Sequence, residues 1–244
     1  GIFYLIYSSQ VMHELCYATS KSPAGPFEYG GVLVSNCDIG IDSYKLADMA
    51  MAYGGNDHGS MIEIKGEWYI FYHRQTNNTW FSRQVCAEKL EIAADGKVKQ
   101  AEITSCGLNG KPLEAEGEYP TYIVCNLFND KHSKYVEGDA PHVVQEGGDG
   151  DQNLGYIKQL TDGCVAGFKY FDLKDVKGIR VKTRGYFNGK VRFLTKWDGE
   201  VIGEAEIDGT NIWTNRDILF DPISGTHALY FKFVGGGSCS MRSF

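Results

Sequence analysis

Four aspartates, Asp38, Asp42, Asp48 and Asp57, crowd one glycine- and tyrosine-containing connector. Two carboxylates held on opposite sides of a bond can act as general acid and general base. Neighbours along a single loop are not held in that way, and exposed loop acids are usually just solvated. No catalytic pair is therefore assigned here. The seven cysteines (Cys16, Cys37, Cys86, Cys106, Cys125, Cys164, Cys239) are scattered, with no C-x-x-C spacing. Zinc ligands come in close pairs, so zinc is not expected. An odd, dispersed set reads as buried free thiols and points to a reducing compartment, the cytoplasm. The run Trp68, Tyr69, Phe71 and Tyr72 could offer stacking faces, but it alternates within a strand-like segment and is assigned to the core.

The elements that would position such groups are β-strands. Thirty glycines against six prolines, with fifteen tyrosines, suit many short strands joined by glycine turns. The net charge of −7 provides no basic stripe for phosphates, so nucleic acid is excluded as a partner. No apolar run is long enough to cross a bilayer, and a membrane partner is not expected. A neutral or polar ligand such as a sugar fits this balance.

Two segments repeat. Gly1 to Ser9 lines up with Gly66 to Arg74, each a glycine followed by an aromatic and β-branched run typical of a buried strand. A second strand follows in each copy, His13 to Thr19 and Phe81 to Glu88. A third closes each, Phe27 to Val34 and Lys97 to Thr104. The second copy also has a leading strand, His58 to Ile64, turned by Lys65-Gly66. The first copy should own its equivalent ahead of Gly1, and without it a strand edge stays unpaired. Strands recurring in such sets read as propeller blades.

Residues 106–118 are rich in Gly, Glu and Pro and read as a connector. From Tyr119 the spacing changes to that of an antiparallel sandwich. Strands are expected at Tyr122 to Phe128, Ala166 to Asp172, Gly178 to Arg184, Lys190 to Lys196, Glu200 to Ile207 and Thr226 to Phe233. Asn188-Gly189, Asp198-Gly199 and Asp208-Gly209 are the expected turns. The chain is thus expected to be all-β, with a blade region at 1–105, a connector at 106–118 and a jelly-roll-like β-sandwich at 119–244. No helix is signalled.

Three segments carry a family resemblance: Tyr17-Ala-Thr-Ser-Lys-Ser-Pro-Ala-Gly-Pro-Phe27, Gly55-Asn-Asp-His-Gly-Ser60 and Glu67-Trp-Tyr-Ile-Phe-Tyr-His73. In this order they resemble the blade motifs of family 43 glycoside hydrolases. The resemblance implies the last blades of an incomplete five-bladed β-propeller. It also implies hydrolysis with inversion of glycosides in plant cell-wall polysaccharide containing arabinose and xylose. Inversion needs two carboxylates standing roughly 6.5–9.5 Å apart. In the family those residues lie on blades ahead of the motifs present here, so no catalytic residue is carried over. His58 matches a histidine beside a central calcium. Calcium prefers oxygen, so His58 would be a lone nitrogen contact or an outer one; the alternative is a histidine satisfied by backbone at a strand end. Arg83 matches an arginine that reaches the sugar pocket, with a surface ion pair as the alternative. Asn56 and Arg74 are further candidates for sugar contact.

The second region resembles family 6 carbohydrate-binding modules at Gly155 to Ile157, Gly167 to Asp172, Val181 to Gly185, Ile212-Trp213, Ser224 to Phe233 and Met241 to Phe244. Such modules grip a sugar between two loop aromatics. Here the sandwiching position falls near Thr210, and the terminal loop Gly235 to Ser240 lacks the usual asparagine. Tyr156, Tyr186 and Trp197 are the remaining aromatic candidates. Sugar binding by this region and a purely structural role both stay open.

Overall fold

The computed structural model describes residues 1–10, 13–41, 52, 55–129, 131, 138–145 and 155–244. The fold is all-β; short 3-10 turns occur at Gly107–Asn109 and Thr121–Ile123. Asp42 and Asp48 lie outside the described residues.

The first unit contains two antiparallel three-stranded sheets. Strands β1 (Phe3–Ser8), β2 (Glu14–Ser20) and β3 (Glu28–Ser35) are ordered β1-β2-β3. Strands β4 (Ser60–Ile64), β5 (Glu67–Gln75) and β6 (Arg83–Leu90) are ordered β4-β5-β6. In the sequence repeat β1 corresponds to β5 and β2 to β6, which makes β4 the strand with no counterpart beside β1. Among the described residues β1 pairs only with β2. Leu15, Tyr17, Leu33, Val34, Ile70, Tyr72 and Leu90 from both sheets meet in one apolar cluster. The segment expected as a strand at Lys97 to Thr104 forms only an isolated bridge, Ile92 to Val98. Its amides find separate partners instead: Ala101 donates to the Leu33 carbonyl, Ile103 to Asp38 Oδ1 and Thr104 to Glu88 Oε1. Two carboxylates and scattered backbone carbonyls take the place of a ladder.

The second unit is one seven-stranded sheet. It comprises β7 (Leu113–Glu114), β8 (Asn126–Phe128), β9 (His142–Gln145), β10 (Gly155–Leu160), β11 (Val165–Leu194), β12 (Gly203–Ile207) and β13 (Thr210–Ser243). The two long strands replace several expected short ones. Lys232 of β13 lies opposite both Val165 and Arg192, so β13 is flanked by the two ends of β11 and the sheet curls on itself. Register shifts after Phe168, Leu173 and Val181 provide the bends. Asn188-Gly189 therefore does not turn. A side chain at Gly189 would strike the backbone of Val234 and Gly235, so glycine allows two strands to approach closely. The curl encloses Phe168, Phe171, Phe187, Phe193, Phe231 and Phe233, all essentially buried. The strand expected from Tyr122 starts only at Asn126, because Pro120 leads into the 3-10 turn and Thr121 Oγ1 donates to the Met241 carbonyl at 2.5 Å.

The seam between the units contains buried polar groups. Lys169 of β11 is buried, and its Nζ lies 2.7 Å from Asp38 Oδ2 and 2.8 Å from Glu102 Oε1. Asn126 donates to the same Asp38 oxygen at 2.9 Å, and Tyr170 donates to Glu102 at 2.8 Å. Burial acts to strip the proton from Lys169, but Asp38, Cys125 and Glu102 outweigh it and hold the ammonium charged well above its usual range.

Candidate functional site

The loop that brings His58 to the start of β4 is shaped by Gly59, where a β-carbon would collide with the Phe71 carbonyl. Only glycine lets the loop lie directly on β5. Antiparallel pairing of β5 with β6 sets Gln75 opposite Arg83 and Arg74 opposite Gln84. Because side chains alternate across a strand, His73 and Arg83 share one face, while Arg74 and Gln84 share the other.

On the first face a ladder of polar groups forms. Arg83 donates from Nε to His73 Nε2 at 3.1 Å, and the His73 ring stacks on His58 with centroids 5.5 Å apart and planes at 16°. The His73 amide donates to Asp57 Oδ1 at 3.4 Å. Burial and the nearby Arg83 lower the His73 pKa, which keeps the imidazole neutral and able to accept. Asp57 is buried, its Oδ2 has no partner, and burial pushes its pKa to about 7 against the pull of the His73 and His58 amides. Ser8 donates to the Asp57 carbonyl, and Gln75 holds Asn56 through both its carbonyl and its side-chain oxygen. His58 and Arg83 themselves face solvent.

Of the sequence candidates, His58, Arg83 and Asn56 thus fall together. Arg74 does not join them. Its guanidinium donates to the Tyr122 carbonyl at 2.7 Å and to the Val124 carbonyl, joining the first unit to the second. Gln84 reinforces this, donating to the Tyr122 carbonyl at 2.9 Å. A cavity of about 180 Å³ in this seam is lined by Arg74, Gln84, Cys86, Tyr122 and Cys125 but by none of His58, His73 or Arg83. It belongs to the joint. Asp38, the other described acid of the early connector, is committed to Lys169. Asp57 was weighed in the sequence only as one of four connector acids, and His73 was not singled out; the alternation of β5 carried the signal for His73, but burial hid it behind the aromatic residues of that strand.

The aromatic candidates of the second unit are dispersed. Tyr156 is buried, edge-on to Trp213 at 5.3 Å, and the Arg184 guanidinium covers the Trp213 ring at 4.4 Å. Trp197 packs edge-on against Tyr230 in a separate cluster. Tyr186 alone is widely exposed. Among the described residues no three His, Cys, Asp or Glu side chains converge on a metal position. The described residues thus offer a cation at His58 at most one nitrogen. They do not by themselves make an oxygen cage fit for calcium.

No family model matches the chain. It is 53% identical over 249 residues to a xylosidase/arabinosidase from Thermoclostridium stercorarium, covering 99% of this chain and 53% of that protein. It is 22% identical over 246 residues to an arabinoxylan arabinofuranohydrolase from Bacillus subtilis (strain 168), covering 95% of this chain and 44% of that protein. Among solved structures, a glycoside hydrolase family 43 arabinoxylan arabinofuranohydrolase from Bacillus subtilis, in complex with cellotetraose, superposes with a TM-score of 0.51 and 18% identity. That match covers all of this chain and 51% of the other. The chain spans about half the length of these relatives.

Proposed function

Homologous to the family 43 glycoside hydrolases, this chain forms, we propose, part of an enzyme that hydrolyses arabinose- and xylose-containing plant polysaccharide. In this reading the two sheets of the first unit are propeller blades, and the mouth carrying His58, His73 and Arg83 is one wall of the sugar pocket. Arg83 presents its terminal amino groups to sugar hydroxyls or to a neighbouring carboxylate, a task suited to a planar, permanently charged fork. If a calcium is bound in this reading, His58 would offer it at most one nitrogen, and its oxygen ligands would have to come from outside the described residues. The acid and base of an inverting reaction lie in the portion that the relatives have and this chain does not span.

One observation carries this reading beyond homology: the mouth contains a single described carboxylate, Asp57, and it is buried. A lone buried carboxyl cannot both protonate a leaving oxygen and activate a water on the opposite side of the ring. The second unit takes the part of a docked, carbohydrate-binding-module-like domain built from one curled sheet. Its Trp213 face is covered by Arg184 and its Trp197 is packed inward, which favours a structural role over a sugar clamp.

The test is turnover of nitrophenyl arabinofuranoside and xyloside by the 244-residue chain and by the longer protein proposed to carry it. Activity is expected only from the longer protein. Turnover by the chain alone, lost in Asp57→Asn, would overturn the proposal.

A further inference from the structure

We propose that His73 is the positioning residue of this mouth: its Nε2 lone pair fixes Arg83 while its ring braces His58. The inference rests on the reading of the mouth as a sugar-contacting wall.

An arginine on an exposed strand position has several rotatable bonds and five donors, so its fork points nowhere in particular unless one donor is tied down. Here the tie is on Nε, 3.1 Å from His73 Nε2. Anchoring Nε sets the plane and direction of the guanidinium and leaves the terminal amino edge for a ligand. The anchor is itself immobile. His73 is buried, its amide is held by Asp57 Oδ1, and its ring lies nearly parallel to that of His58. One side chain thus fixes both exposed members of the mouth. The strand register explains the choice of residue: His73 stands diagonally across from Arg83 on the same face, within reach of a long side chain. The acceptor must be a ring nitrogen without a proton, which requires the tautomer protonated at Nδ1.

The experiment is a double-mutant cycle on kcat/KM for a nitrophenyl glycoside in the longer protein, with melting temperature as a control. His73→Phe keeps a flat ring against His58 but removes the acceptor, and is expected to lower kcat/KM about ten- to a hundredfold. In an Arg83→Ala background the same change should cause no further loss, because the residue acts through Arg83. His73→Gln, which restores an acceptor, should recover part of the rate. Independent losses from His73→Phe and Arg83→Ala overturn the proposal and leave the sugar-wall reading standing. Full kcat/KM in Arg83→Ala sinks that reading and the proposal with it. Nitrogen NMR on the unmutated chain provides a readout that no misfolded variant can spoil: His73 should carry its proton on Nδ1, and a proton on Nε2 overturns the proposal.

Discussion

The two units are built from the same material, antiparallel strands, but hold themselves together differently. The second curls one sheet around its own phenylalanines, with Phe168, Phe187, Phe193, Phe231 and Phe233 at essentially no exposure. The first has two small sheets that share a cluster to which Cys125 of the second unit also contributes, and it leaves Phe3, Leu5 and Ile62 on strands β1 and β4 exposed. Its interior is also more polar: Glu88 is buried with Tyr72 and Thr104, and Asp38 with Lys169. The residues assigned to sugar contact sit on the less self-sufficient unit. The mouth itself is held by contacts within the first unit, among Asn56, Asp57, His73, Gln75 and Arg83.

The sharpest way to break that comparison is to cut the seam. Lys169→Met leaves the Asp38 carboxylate buried without its cation and should destabilise the chain by about 3–5 kcal/mol in denaturant titration. A midpoint equal to that of the parent would show that charge does not hold the joint. A smaller effect tests the polar interior of the first unit. Burial raises the Glu88 pKa to about 8, against hydrogen bonds from Thr104 and Tyr72. A carboxyl whose folded pKa lies above its unfolded one stabilises fully below the ordinary value near 4.5 and loses that contribution as pH climbs towards 8. Relative to the parent, Glu88→Gln should gain about 2–4 kcal/mol between those two pH values. A stability difference independent of pH would mean that Glu88 keeps its ordinary pKa in the fold. The smallest effect is expected on the solvent face of the second unit. Arg180 and Asp217 pair at 2.6 Å in the open, and Arg180→Ala should leave the melting temperature unchanged. A clear drop would mean that the curled sheet depends on its surface charges as well as its core.

Much of the fold was legible in sequence. The repeat of Gly1 to Ser9 in Gly66 to Arg74 became β1 and β5, but only β5 buries its run; β1 stays half-buried or exposed. The strand order of the second unit was legible only in pieces. Asn188-Gly189 reads as a hairpin turn locally, yet in the fold Gly189 faces Gly235 across two strands, a partner forty-odd residues away that no local pattern signals. The site was half legible. His58 and Arg83 stood out through their motifs, whereas Arg74, also a candidate for sugar contact, lies on the opposite face of β5 and donates to the Tyr122 carbonyl. His73 stayed hidden since a buried histidine in an aromatic strand looks like filler until its neighbour across the sheet is known.

Strand β1 reads Phe-Tyr-Leu-Ile-Tyr-Ser, without a charge or a proline, and among the described residues only one of its flanks is engaged. A short, uncharged, aromatic ribbon of this kind is a template onto which another copy can add itself, rung by rung. At high concentration the 244-residue chain should thicken into assemblies that a lysine placed at Leu5 would disperse.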